Sequence, residues 1–211
     1  NSDNFDLQQV EKGTYYVRML LFDKKAKFSW NLVIVYGDAH KEGKRAFLAE
    51  LSRLYQDNPL PCVIGGDFNI IRNSAEKNKP GRTNHFNFVF NSIIEHAGLR
   101  DKHISGRKYT WVNNLPEATY EKLDRILICP DWEDKYPMTM VTTLEREISD
   151  HTPLLVDSGE ATHVGNKNTF SFELVWFERE GFFDLIAREW AKDAGGRTSI
   201  ERWENKIRHL R

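Results

Sequence analysis

The sequence predicts an α/β domain with sheets packed face to face and helices outside, followed by a helical appendage. Three observations lead there. Short runs rich in β-branched and aromatic residues recur through residues 1–157. Two stretches of helical apolar periodicity are inserted between them. After Asp157 the composition turns polar and Gly-containing before helical periodicity resumes.

Residues 14–22 and 30–36, joined by the charged link 23–27, read as a strand hairpin. Phe47, Leu48, Leu51, Leu54 and Tyr55 recur at helical spacing, and Asn58, Pro59 and Pro61 stop that run. The next strand, residues 62–64, ends in Gly65 and Gly66. A polar loop carrying Pro80 and Gly81 then runs to Thr83. A second helix presents Phe86, Val89, Phe90, Ile93, Ile94 and Ala97 on one face, with Thr83 or Asn84 as cap and Gly98 as left-handed stop. Short strands follow at 108–112, 122–128, 138–143 and 153–156. The core domain therefore spans 1–157, residues 158–169 read as a linker, and 170–211 form a helical segment. Its apolar positions are Phe182, Phe183, Leu185, Ile186 and Trp190, then Ile200, Trp203, Ile207 and Leu210.

Composition bounds the function. A chain of 211 residues with 40% hydrophobic content suits one substantial core, not a disordered segment. The formal net charge of −1 gives no global basic excess, so any contact with nucleic acid has to be a local patch. Cys62 and Cys129 lie in apolar runs and read as buried free thiols, which fits an intracellular, reducing compartment. No run approaches a membrane span, and the first nine residues lack the apolar centre of a signal peptide. The opening, without an initiator Met, reads like the interior of a longer protein.

The chemistry-bearing residues cluster in three motifs. In Gly65-Gly66-Asp67-Phe68-Asn69, alternation along an extended chain places Asp67 and Asn69 on one face and Phe68 on the other. The same pattern also reads as an Asx-rich turn ending a strand. In Ser149-Asp150-His151-Thr152-Pro153, the proline favours a sharp entry into the last strand. That motif offers a carboxylate for a hard cation and an imidazole for a phosphate oxygen, or simply a capped turn. In Leu123-Asp124-Arg125, Asp124 shares its face with Ile126 and Ile128, so its carboxylate is expected to be buried and to need a partner. That partner is either a guanidinium in a structural ion pair or the imidazole of His151. His40, His85, His96, His103, His163 and His209 show no metal-ligand spacing.

The order and wording of Val35-Tyr36-Gly37, Gly65 to Asn69, Tyr109-Thr110-Trp111, Lys122 to Arg125 and Ser149 to Pro153 resembles the endonuclease/exonuclease/phosphatase superfamily. Within it, the match is closest to the endonuclease domain of plant LINE-type retrotransposons, also through Arg72, Glu76-Lys77 and Ser105-Gly106-Arg107. The resemblance covers residues 14–157, and 170–211 is similar to the connector ahead of the reverse transcriptase in such elements. It implies a four-layer α/β sandwich of the DNase I-like type, incomplete at the N-terminus, and hydrolysis of phosphodiesters with Mg2+ or Mn2+. It further implies a nuclear protein that nicks double-stranded DNA.

Carried over by position, Asp67 positions or deprotonates water, Asn69 helps hold water and phosphate, and Tyr36 contacts the phosphate. His151, oriented by Asp124, binds the scissile phosphate, and Asp150 is a metal ligand. Trp111, Arg72 and Lys108 would contact substrate. The family's upstream strands, bearing an Asn and a metal-binding Glu, have no counterpart: Asn1, Asn4 and Glu11 stand in other contexts. Asp38 departs from the proline usual after the tyrosine. Two further readings stand beside the nuclease: a non-catalytic remnant that binds nucleic acid or a partner, and a phosphatase or lipid-type phosphodiesterase of the same superfamily.

Overall fold

The computed structural model describes every residue except 1–2, 57–59, 80, 82–83, 114, 160–180, 194, 196–197, 199–200, 204 and 207–211. The chain divides into two units, Asn1–Val164 and Gly165–Arg211. Of the positions marked by the sequence, Asn1, Asn58, Pro59, Pro80, Thr83, His163, Ile200, Ile207, His209 and Leu210 lie outside the described residues, and so does nearly all of the expected linker.

The first unit is built on a six-stranded sheet whose order is β1 (Phe5–Lys12), β2 (Tyr16–Asp23), β3 (Phe28–Tyr36), β4 (Cys62–Asp67), β9 (Asp124–Ile128) and β5 (Arg100–Asp101). Strands β2 (Tyr16–Asp23) and β3 (Phe28–Tyr36) form the expected antiparallel hairpin, with Leu21 opposite Trp30. Strand β3 continues through helix α1 (Lys41–Gln56) into β4 (Cys62–Asp67), which pairs parallel to β3 as a strand-helix-strand crossover requires. Helix α2 (His85–His96) is capped by Asn84 in a reciprocal capping box with Asn87, and Gly98 follows with φ of +61°. β9 (Asp124–Ile128) lies antiparallel to β4 on one side and to β5 (Arg100–Asp101) on the other.

The hydrophobic face of α1 (Phe47, Leu48, Leu51, Leu54) and that of α2 (Phe90, Ile94) join Val33, Val35 and Leu127 in one buried core. Trp30, Leu32, Ile34, Val63, Asp124 and Ile126 face the other way and line a groove with Leu154 and Val156. Those last two belong to β11 (Leu154–Asp157) of a second sheet, ordered β11-β10-β6, with β10 at Met140–Thr143 and β6 at Ile104–Ser105. A two-stranded ribbon, β7 (Trp111–Val112) with β8 (Tyr120–Glu121), stands beside it. In the second unit, α4 (Phe182–Ala191) carries the expected apolar positions.

Several elements escape the sequence pattern. β1 (Phe5–Lys12) is a polar strand exposed along most of its length, so it shows no alternation of burial. It is held by backbone pairing to β2 and by Glu11, which accepts hydrogen bonds from the Tyr16 hydroxyl and the Arg18 guanidinium across the pair. Strands β5, β6 and β8 are two residues each, and helix α3 (Pro130–Lys135) is six residues long with Cys129 as its cap. Elements that short have no period to read. α3 nevertheless matters, because Trp132 and Tyr136 stack with Trp30 and Phe28 at one end of the core.

A buried guanidinium stitches the larger sheet to the loop that follows Asn69. Arg125 alternates to the helix side of β9, is 0% exposed and sits 5.5 Å from the centre of the Phe90 ring. It donates to Asp101 at 2.7 Å, to both carboxylate oxygens of Glu76 at 3.2 and 3.0 Å, and to the Ile70 carbonyl at 3.2 Å. Glu76 in turn accepts from the Arg72 amide at 2.6 Å. Burial works against ionisation of Asp101, but Arg125 and Lys122 outweigh it and hold this carboxyl below its ordinary range.

Because the folded value is depressed, the Asp101 contribution to stability is fully present above its ordinary pKa and is lost as pH falls through the lower folded value. In urea titrations the midpoint is expected to fall as pH drops from about 5 toward about 2, and Asp101→Asn to flatten that fall. An unchanged slope in the variant would show that Asp101 does not carry it. Arg125→Met is expected to cost about 3–5 kcal/mol at neutral pH, because it takes a buried guanidinium from two largely buried carboxylates.

Candidate active site

The three sequence motifs meet at the same end of the larger sheet. Asp67 closes β4 and Asp124 opens β9, and the register pairs them directly across the antiparallel ladder. Immediately ahead of β11, the backbone of His151 forms an isolated bridge to Trp111. One ligand atom from each of Asp67, Asp124 and His151 lies within 4.8 Å of the others.

The local geometry explains each placement. Gly66 has a φ of +136°, and a Cβ there would come 2.1 Å from the Val35 carbonyl oxygen. The glycine therefore lets β3 approach at this end of the sheet. Phe68 points into the core, 0% exposed, against Phe47 and Phe90. Asn69 is not extended, as simple alternation supposes, but takes a φ of +51°. That left-handed turn, which asparagine tolerates, brings its side chain back toward Asp67.

The Asn69 amide donates to Asp67 Oδ1 at 2.8 Å, and its Nδ2 donates to Asp67 Oδ2 at 2.8 Å and to the Gly37 carbonyl at 2.9 Å. The Asx turn and the functional pair are thus one structure. Lys44, on α1, donates from Nζ to the Asn69 carbonyl, a contact that no sequence pattern signals.

His151 Nδ1 lies 2.9 Å from Asp124 Oδ2, and its Nε2 is 3.8 Å from Asp67 Oδ2. An ionised carboxylate only accepts, so Nδ1 carries the proton and Nε2 is turned toward Asp67. The imidazole side chain is 29% exposed, open enough to reach a ligand. Arg125, the other candidate partner of Asp124, points to the opposite face. Burial raises the carboxyl of Asp67 above its ordinary range, with the Asp124 charge adding to the rise. The Asn69 hydrogen bond, His151 and Lys44 oppose it.

Thr110, fully buried, is a second residue that the motif reading left without a role. Its Oγ1 accepts from the backbone amides of Leu123 at 3.0 Å and Asp124 at 2.9 Å.

The remaining candidates spread around this centre. Tyr36 ends β3 in register with Asp67 and is 69% exposed. Asp150 is exposed, and its carboxylate accepts from the Trp111 indole Nε1 at 2.9 Å, which lowers its pKa. It lies outside the group of three ligand atoms. Lys108 is exposed, with its ammonium 5.1 Å from the centre of the Tyr109 ring. Arg72 is half-buried and engaged with Asn91 at 2.7 Å and Asp101 at 3.3 Å, on the side of the Arg125 network. Cys62 and Cys129 are buried free thiols away from these carboxylates.

Two carboxylates and an imidazole are a donor set that fits a divalent cation. A cation there would relieve the repulsion between Asp67 and Asp124, the same repulsion that helps keep the Asp67 carboxyl raised.

Comparison with known proteins places the fold and the family. Among solved structures, the chain is similar to the endonuclease domain of TRAS1, a telomere-specific non-LTR retrotransposon. The identity is 16% and the TM-score 0.57, over 72% of this chain and 68% of that one. Beta toxin from Staphylococcus aureus matches at 14% identity and a TM-score of 0.51, over 69% and 57% of the two chains. An endonuclease/exonuclease/phosphatase protein from Bacteroides vulgatus matches at 14% identity and 0.50, over 73% and 66%. These likenesses establish a shared DNase I-like α/β fold. None of the curated protein sequences matches the chain. The model of the Endonuclease/Exonuclease/phosphatase family matches residues 4–151, a span that runs from β1 through Asp67 and Asp124 to His151, and the chain belongs to that family.

Proposed function

We propose that this chain carries the hydrolytic site of a DNA-nicking phosphodiesterase of retroelement type, using Mg2+ or Mn2+. The observation that supports it is the convergence of Asp67, Asp124 and His151 from three separate strand ends. Asp67, its carboxyl raised chiefly by burial, accepts the proton of the attacking water, which Asn69 helps to orient. His151, held by Asp124, donates to a non-bridging phosphate oxygen; in its protonated form both ring nitrogens are donors.

Tyr36, exposed on the neighbouring strand end, contacts the same phosphate. Trp111, Lys108 and Arg72 line the approach of the nucleic acid, Arg72 by shaping the loop after Asn69 through its bonds to Asn91 and Asp101. Asp150 would hold the cation with Asp124, leaving Asp67 for the water, and when bound the cation would polarise the phosphate and stabilise its developing charge. The telomere-specific retrotransposon origin of one structural neighbour supports DNA as substrate. In the same reading the protein is a nuclear one from a plant element. Residues 158–169 are its linker, and 170–211 lead toward a reverse transcriptase domain.

One observation favours a second reading, in which these residues alone bind without cleaving. Between the two sheets lies a groove of about 1030 Å3 with apolar walls, reaching from Phe5 and Leu7 to Asp124 and His151. β11 is the terminal strand of its sheet among the described residues. The groove offers a wide apolar surface on which a partner can be held beside Asp124 and His151.

Nicking of supercoiled plasmid DNA distinguishes the readings. With Mg2+ or Mn2+, the protein is expected to nick, and His151→Ala to lower the rate by about 100-fold or more. Equal activity in that variant would sink the assigned mechanism. Cleavage by the 211 residues alone would exclude the non-catalytic reading, whereas hydrolysis of inositol phosphates with DNA left intact would favour a phosphatase. Separately, Mn2+ at 100 times its Kd is expected to stabilise the chain by about 2.7 kcal/mol in thermal unfolding. Asp124→Ala should remove most of that gain, and a full gain in the variant would place the ion elsewhere.

A further inference from the structure

We infer that Thr110 is the positioning residue that fixes Asp124 and His151 relative to each other. The inference rests on the hydrolytic reading above and deepens it. Thr110 precedes β7, is 0% exposed, and touches both strand ends that carry the pair. Its side-chain oxygen accepts from the Leu123 and Asp124 amides at 3.0 and 2.9 Å, at the point where β9 begins. Its carbonyl accepts from the Thr152 amide at 2.7 Å, one residue beyond His151. Its own amide donates to the Glu121 carbonyl at 3.0 Å, which ties it to the ribbon strand opposite.

The sheet ladder does not explain this arrangement. Leu123 and Asp124 are where the chain crosses from the ribbon into β9, and two consecutive amides there turn to the Thr110 hydroxyl for an acceptor. A hydroxyl oxygen has two lone pairs, and both are used here. The Asp124 backbone is thus pinned on one side of Thr110 and the His151 segment on the other. The 2.9 Å contact between Asp124 Oδ2 and His151 Nδ1 spans the two. Removing the hydroxyl strands two amide donors beside a packed core, so β9 shifts to find another acceptor. A shift of about 1 Å at such a pair is enough to cost roughly 100-fold in rate.

Thr110→Val keeps the shape and removes the acceptor, and Thr110→Ser keeps the acceptor. In plasmid nicking, Thr110→Val is expected to lower kcat about 100-fold with KM within about twofold, and Thr110→Ser to restore it. An activity-independent measurement accompanies it: the downfield proton resonance of the His151 Nδ1 bond to Asp124 is present in the natural chain and in Thr110→Ser, and lost in Thr110→Val. If Thr110→Val keeps both that resonance and the full kcat, or if Thr110→Ser fails to restore them, the role is overturned. Should the natural chain not nick DNA, the proposed function fails by itself, while the proton resonance still decides on Thr110. If Thr110→Val does not fold, Thr110→Cys, with a weaker acceptor at the same place, is expected to show a weakened resonance; an unaltered one overturns the proposal.

Discussion

Two carboxylates sit directly opposite one another across an antiparallel strand pair, and much of this end of the molecule is arranged to tolerate that. Like charges in register on neighbouring strands repel, yet Asp67 and Asp124 are partners in the β4 and β9 ladder. Neither is left alone. Asp67 takes two hydrogen bonds from Asn69, and Asp124 takes one from His151. Lys44 adds positive charge at the turn through its bond to the Asn69 carbonyl. The two carboxylates together favour a divalent cation at these strand ends, and a cation in turn favours a phosphate.

The same strand that presents Asp124 sends its neighbour Arg125 through the sheet. Alternation along β9 puts the acid on the groove side and the guanidinium against Phe90 on the helix side. The two halves of the dipeptide serve different ends: one faces chemistry, the other clamps the loop after Asn69 through Glu76 and the edge strand β5 through Asp101. A buried ion network of this kind adds little net stability compared with an apolar packing of the same shape, but it fixes geometry strongly, because breaking one member strands the rest.

The two faces of the larger sheet are closed to different degrees. The helix side of the larger sheet is closed by α1 and α2 into a core with Val33, Phe68, Phe90 and Leu127 nearly inaccessible. The opposite face carries Leu32, Ile34 and Ile126 toward a groove, with Ile34 still 46% exposed.

Much of this was legible in the residues. The hairpin, both long helices, the cap and stop of α2, and strands β4, β9, β10 and β11 follow from local periodicity, glycine and proline. So do the identities of Asp67, Asn69, Asp124 and His151, which stand in short motifs with one reading in common. The sequence could not tell which partner Asp124 would choose, since Arg125 is adjacent in the chain and His151 is far along it. The sheet decided, by turning alternate side chains to opposite faces. Nor did it give the polar edge strand β1, the two-residue strands, the left-handed turn at Asn69, or the roles of Thr110 and Lys44. These depend on backbone groups finding acceptors in segments remote along the chain, and only the assembled tertiary structure specifies those pairings.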